Sequence, residues 1–452
     1  MTTGRPNDEL VIGDRYYVLA SSVAADLPKV VLKHDEAFLV ADRRGNVPAL
    51  PGSEFGFYTE GTRFLRHLEL RVHGQHPLLL NATVSDDGLE AAIDLTNPDI
   101  VDAEPAIANG AEERVTLPGR MFHVRHLITI YRDHLYQTAA IESFAREPHS
   151  FEIGWAFEAD FVDVFEVRGY LRPRRGLLLP ARIEPTSVVL AYRGLDDVLR
   201  ATHLEFDPGP RRLDSAHALY AVRLAPGERF ECALTITAMV GEAVPRRLAG
   251  RPAALSERRS GVERRRRGAT QIETDDRMFN GWIERGRADL HLLLTETPEG
   301  LVPYAGIPWY VAPFGRDSLI TALQVLPFEP EIARGTLAFL ARHQATADEV
   351  FTDAEAGKIL HEYRRGELAA CREIPFVPYY GTVDATPLFL VVLAEYLRWS
   401  GMWSSPGPSG PRRSARSPGW ARPGRGIFGI SAGHRWGWST KAGRTRGTRS
   451  CT

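Results

Sequence analysis

"VAPFGRDSLITAL", from Val311 to Leu323, is the stretch on which the reading of this 452-residue chain turns. Gly315-Arg316-Asp317 sets two opposite charges beside a glycine, where an apolar run of helical spacing begins. The aromatics Trp309, Tyr310 and Phe314 stand just before it. The plain reading makes Asp317 a helix cap, since a carboxylate there satisfies free N–H groups and the dipole favours its charge. A sharper reading joins arginine, carboxylate and rings into the mouth of a binding pocket. Asp317 is expected to do both.

Helical spacing extends outward from this stretch. DDRMFNGWIERGRADLHLLL follows Thr274-Asp275-Asp276, which is good capping chemistry. DSLITALQVL, EPEIARGTLAFLARHQA and ATPLFLVVLAEYLRWS supply three more helices, separated by the loops WYVAPFGRD, GKILHEYRRGE and PYYGTVDATP. Before Glu242 the rhythm is β. KVVLKHDEAFLVADRRGNV reads as two strands with a glycine-containing turn after the second. FLRHLELRVHG, PLLLNATV and HLITIYRDHLYQTAAIESF alternate as half-buried strands do, and FECALTITAMV closes the series. Many strands without intervening helices predict a large antiparallel β-sandwich.

Between these regions, RRLAGRPAALSERRSGVERRRRG (Arg246 to Gly268) is rich in arginine and poor in large apolar groups. Its interspersed glutamates and lack of aromatics argue against nucleic-acid binding and for a solvated, partly helical linker. The expected order is an N-terminal extension (1–29), a β-sandwich (30–245), the linker (246–268), the first part of a helical domain (269–400) and an aberrant tail (401–452).

Composition is that of a soluble globular protein: 44% hydrophobic, 25% charged, net charge −2. That balance excludes a globally basic nucleic-acid binder. Cys232, Cys371 and Cys451 are scattered, odd in number and without metal-ligand spacing, so a reducing, cytoplasmic setting is expected. MTTGRPNDEL has no signal-peptide character, and PLFLVVLA is too short to span a bilayer. No membrane or nucleic-acid partner is expected, and the oligomeric state is left open.

Carbohydrate sites set aromatic faces against the apolar side of a pyranose, while Asp, Glu and Arg bond its hydroxyls. Three clusters have that make-up. The first is Trp309, Tyr310, Phe314, Arg316 and Asp317; the second is His361, Glu362, Arg364, Arg365 and Glu367; the third is Tyr379, Tyr380, Thr382 and Asp384. Each has a plainer reading alone. HEYRR is not a zinc motif, Tyr379 and Tyr380 suit a core, and Asp384 suits an N-cap before TPLFLVVL. Three such clusters at loop–helix junctions of one domain point to a shared site.

"FGRDSLITAL", "GKILHEYRRGE" and "YYGTVDATPLFLVVLAEYLRWSG" resemble the bacterial amylo-α-1,6-glucosidase (glycogen debranching enzyme) family. "GFYTEGTRFLRHLELRVHG", "PLLL" and "FEADFVDVFEVRG" resemble the β-domain that precedes the catalytic barrel there, and the likeness runs from about Val30 to Gly401. Glu60-Gly61 departs from it, since the family more often shows Arg-Asp before Thr-Arg.

The resemblance implies a β-sandwich followed by an (α/α)6 barrel of the six-hairpin glycosidase type. It also implies inverting hydrolysis of α-1,6-linked glucose in glycogen or branched maltodextrin, with no metal or organic cofactor. Arg316 and Asp317 match the pair that shapes a glucose subsite, and Asp384 matches a second acidic residue on that face. His361, Glu362, Arg365, Tyr380 and Thr382 join Trp309, Tyr310 and Phe314 as expected substrate-binding residues. The general acid and base are implied in later loops, beyond Gly401. The other expectation is therefore a truncated, inactive relic with weak glucan binding.

From Gly401 to Thr452 there is no Asp or Glu, while Arg, Gly, Ser, Pro and Trp crowd together and apolar periodicity vanishes. Gly401-Met402-Trp403 must be encoded GGN-ATG-TGG, and one base back reads NAT-GTG, an Asp, Asn, His or Tyr followed by Val. A shifted frame is the expectation. Sequencing the gene past codon 400 should uncover an acid-containing helical frame; stops or equally structureless sequence in both other frames would remove it.

Overall fold

Alternating inward and outward side chains carry the first half of the chain into sheets, as period-2 patterning requires. The structure, a computed structural model, describes residues 28–50, 52–101, 115–241 and 250–401, with the backbone alone of 9–12 and 15–18. Most of the expected N-terminal extension and the tail from residue 402 lie outside the described residues.

An eight-stranded antiparallel sheet runs in the spatial order 177–184, 187–193, 199–207, 229–240, 134–143, 122–131, 90–96 and 78–84. A four-stranded sheet (212–213, 217–224, 149–158, 67–72) faces it, and a second one comprises 29–34, 37–42, 56–59 and 62–65. The facing relation shows in the core. Trp155, on the four-stranded sheet, packs near Phe206 and donates from Nε1 to Gln137 Oε1 at 2.9 Å, both on the eight-stranded sheet. Phe122 and Phe151 meet across the same gap with ring centres 4.2 Å apart. This is the β-sandwich that the alternation predicts.

Two expectations change. PLLLNATV does form a strand, Leu78–Val84, but it is the sheet's edge and buries none of its residues, with Leu80 60% exposed. Its alternation marks a pleat with one exposed face and one only half-covered. The arginine-rich segment, expected as a solvated, partly helical linker, is one continuous helix over Gly250–Gly268 that docks on the sheet. It buries Ala254, Leu255 and Arg258, with Ala254 packed on Tyr131 and Tyr136 of the large sheet. The small apolar stripe is masked by arginines whose stems cover apolar surface while their heads find oxygen. Arg258 does this, donating to the Leu89 carbonyl (3.1 Å) and the Lys33 carbonyl (2.9 Å).

The helices are α1 (Val164–Val167), α2 (Gly250–Gly268), α3 (Arg277–Leu293), α4 (Gly315–Val325), α5 (Pro330–Arg342), α6 (Glu367–Ala370) and α7 (Ala385–Trp399). Asp276 caps α3 as its sequence predicts, accepting from the N–H groups of Met278 and Phe279. Helices α4, α5 and α7 pack on one another, and α5 lies on the hairpin strand Gly300–Pro303. Gly335 permits that approach, because a Cβ there would stand 2.3 Å from the Leu301 carbonyl oxygen. The described residues thus form a helical layer after the sandwich, without a closed ring. No described helix is long and apolar enough to cross a membrane.

His126 is fully buried in the sandwich, between the Arg44 carbonyl and the Gln137 side chain, and burial pushes its pKa down to about 4. The unfolded chain therefore takes up this proton near pH 6.5 and the folded chain only near 4, so acidification through that window destabilises the fold. Going from pH 7 to 5 should cost about 2 kcal/mol through this residue. Urea titrations of the native chain and a His126→Leu variant should differ in slope by that amount. Parallel pH profiles would show that His126 takes up its proton over the same pH range in the folded and unfolded chains.

Candidate functional site

The three clusters meet because their backbones are joined. The Gly315 N–H donates to the His361 carbonyl at 2.9 Å, and the His361 N–H donates to the Tyr379 carbonyl at 2.8 Å. Glu362 pairs with both Phe314 and Tyr379 as isolated β-bridges. Gly315 has no alternative: a Cβ would lie 1.8 Å from the Leu360 carbonyl oxygen. Residues far apart in sequence therefore form one wall at the start of α4 and α7.

The outward side of this wall is polar. Arg316 donates from Nη1 to Asp384 Oδ2 at 3.1 Å, and its Nε lies 3.9 Å from Asp317 Oδ2. Thr382 donates its hydroxyl to the other Asp384 oxygen. Burial acts to raise the Asp384 pKa, yet the Thr382 hydroxyl and the Arg316 guanidinium together hold it below the usual value. Tyr379 donates to Asp353 at 2.7 Å. An open cleft of about 760 Å³ lies alongside, walled by Glu349, Asp353, Lys358, Thr382 and Val383. Tyr310 is 46% exposed, and Arg168 from the β-domain sits over the Trp309 and Tyr310 rings at 5.7 and 5.8 Å.

Capping departs from expectation. Phe314, not Asp317, occupies the N-cap of α4 and makes no side-chain bond to it. The Gly315–His361 bond starts the helix early, so Asp317 falls inside the first turn, where only the dipole favours its charge. Asp384 stands at the α7 N-cap but bonds Thr382 and Arg316 rather than the helix.

The inward side is structural. Glu362 is buried and accepts from Arg364 at 2.6 Å, while Arg364 also donates to the Trp309 carbonyl at 2.9 Å. Tyr380 is buried, with its hydroxyl on the His343 carbonyl. Arg365 turns toward Glu36 and Glu60 of the β-domain at 3.8 and 3.6 Å. Phe314 is buried beneath His361, with ring centres 6.0 Å apart. His361 lies between Phe314 and Tyr379, and its buried Nδ1 has no hydrogen-bond partner among the described residues. Arg168 and Asp353 reach the site without a signal in the sequence near the three clusters.

A family model for the N-terminal domain of (some) glycogen debranching enzymes matches residues 32–235. The matched stretch is the β-domain, which resembles the N-terminal domain of that family. Debranching-type β-domain and helical layer together overlay on a protein provisionally assigned as a kojibiose phosphorylase, from the human microbiome. The overlay has a TM-score of 0.54 at 9% identity and covers 82% of this chain and 53% of that one. The chain thus spans about half of that protein's length, and the likeness is one of fold. A provisionally assigned aldose 1-epimerase from Escherichia coli K12 overlays at a TM-score of 0.25 and 10% identity, over 47% of this chain and 99% of that one. A galactose mutarotase related enzyme from Lactobacillus acidophilus does so at 0.24 and 10%, over 48% and 100%. No curated protein sequence matches the chain.

Gly315→Ala should break the junction beneath the site, since carbonyl and methyl cannot share 1.8 Å. Overpacking of this kind costs roughly 1–3 kcal/mol or more. Limited proteolysis should then cut within residues 300–400 faster than in the native chain, with the β-domain intact. Unchanged cleavage there would mean that the wall is held by other contacts.

Proposed function

We propose that the wall formed by Trp309, Tyr310, Arg316, Asp317, Thr382 and Asp384 is a glucosyl subsite for α-glucan, in an enzyme of glycogen or maltodextrin debranching. The reading is carried by one observation. Loops whose charged groups stand 68 residues apart are zipped backbone to backbone, leaving Arg316, Asp317 and Asp384 in a single outward-facing group. The family of the β-domain supports carbohydrate metabolism as the setting.

The chemistry fits binding of a sugar. Arg316 and Asp384 are 47% and 34% exposed, so their pair contributes about 1 kcal/mol at most to stability. Its value lies in orientation: Asp384 fixes one edge of the guanidinium and leaves other N–H groups to donate to hydroxyls. Asp317 accepts from a hydroxyl, and the Tyr310 and Trp309 rings offer a stacking face.

Neither aspartate suits proton donation. Asp384 stays ionised, whereas a general acid needs a raised pKa. Asp317 and Asp384 both lie beside the Arg316 guanidinium, engaged with a cation rather than facing each other across a water as an acid–base pair does. The acid and base of α-1,6 hydrolysis are therefore assigned outside this group. The same facts favour a second reading, glucan binding without turnover.

Titration of the chain with maltodextrin, followed by calorimetry, tests the subsite. Asp317→Asn and Arg316→Lys should each weaken binding by about 1.5–3 kcal/mol, roughly ten- to a hundredfold, because a charge-assisted bond or the planar fork is lost. Equal affinity in both variants would remove the subsite. Glucose release from a limit dextrin separates the two readings.

A further inference from the structure

The arginine-rich helix α2 leaves cationic donors unused, and they line a cavity. This space of about 190 Å³ lies between α2, α3, the turn at His34–Asp35 and the turn at Asp86–Leu89. Arg258 is 6% exposed; its two terminal nitrogens bond carbonyls, but its Nε has no partner among the described residues. Arg265, one helical step of seven residues further on, also lines the cavity. Its buried Nε likewise has no hydrogen-bond partner among the described residues.

The acids of the cavity are already engaged or solvated. Asp35 pairs with His34 at 3.1 Å and accepts from the Glu296 N–H at 3.0 Å. Asp87 accepts from Ser85 and from the Leu89 N–H. Glu284 holds Arg266 and lies 3.5 Å from Arg287. Asp86 is exposed. Spare donors therefore outnumber spare acceptors. A buried N–H left without an acceptor carries a desolvation penalty, which a bound anion would remove.

We propose that this cavity is a binding site for a phosphate group, free or esterified to a sugar, held by Arg258 and Arg265. Guanidinium forks match phosphate oxygens, and an enclosed setting strengthens such bonds relative to water. Burial lowers the pKa of both arginines, outweighing the pull of Asp87 and Asp35 on Arg258 and of Asp35, Glu329 and Glu296 on Arg265. The site is separate from the wall at α4 and α7. It bridges the β-domain to the helical layer, so occupancy would tighten that junction.

Calorimetric titration of the full chain with inorganic phosphate at low salt should give saturable binding with Kd below about 1 mM. Arg265→Gln should weaken it by about tenfold or more. That variant removes no protein–protein hydrogen bond among the described residues and relieves an unpartnered buried N–H, so its unliganded melting temperature should be no lower than the native one. A hexose phosphate that binds more tightly than phosphate identifies the ester as the source; equal affinity identifies the phosphate group alone. On the native chain, phosphate should also protect Arg265 from phenylglyoxal, read by mass spectrometry. Absence of saturable binding by either probe, equal affinity in Arg265→Gln, or unprotected Arg265 would overturn the assignment.

Discussion

A buried carboxylate, Glu367, holds the site loop to the β-sandwich. It accepts from the Tyr192 hydroxyl at 2.9 Å and the Leu195 N–H at 2.6 Å, and pairs with Arg172 at 2.9 Å. All three partners belong to the β-domain side, and both charged side chains are almost wholly buried. Arg172 also pairs with Glu373 at 2.5 Å, so Glu367 is one member of a buried charge network that ties the loop to the sandwich. Next to it, Gly366 lets the loop touch Asp163, since a Cβ there would stand 2.2 Å from Asp163 Oδ2. His361–Arg365 are therefore held between the sandwich and the starts of α4 and α7. The β-domain acts as a template for the site rather than as an appendage.

That constraint explains how labour is divided within HEYRRGE. Glu362, Arg364 and Glu367 resemble groups that bind ligand, yet each is buried and bonded to protein. Their hydrogen bonds orient the strand-like backbone that pairs with Phe314 and Tyr379. The groups left facing outward, Arg316, Asp317 and Asp384, sit on helix starts, where rigid elements fix direction. Polarity in the loop is mostly scaffold, and polarity at the helix starts is mostly available.

The strands and main helices were legible because their periodicities are local. Their partners were not. Phe314 took the cap expected of Asp317 because a backbone bond from Gly315 to His361, 46 residues away, sets where α4 begins, and no local propensity encodes it. Glu362 and Tyr380 read as ligand groups because type and spacing do not reveal which side of a loop faces the core. The docking of α2, expected only as a partly helical linker, was hidden by composition: the helix is strongly polar, and it buries only the short stripe at Ala254, Leu255 and Arg258. Convergence of the three clusters was legible, because each carries chemistry at a loop–helix junction of one domain.

Two buried titratable groups give the sandwich and the junction opposite responses to acid. His126 must stay neutral in the core, so its contribution falls away as pH drops from about 6.5 toward 4. Asp163, 3% exposed at the junction, is shifted the other way. Burial raises its pKa to about 6, against the bonds from the Phe165 and Leu368 N–H groups. Its folded value lies above the unfolded one, so the folded state gains as pH falls from about 6 toward 3.8, and that gain is lost as pH rises through 6. At neutral pH the ionised Asp163 is a buried charge held by backbone donors where α1 meets the Gly366 loop. The junction that positions the site is thus penalised in the pH range where the sandwich core is most secure. The Arg364 guanidinium, which reaches the same junction from the site loop, is the cation that acts against this penalty.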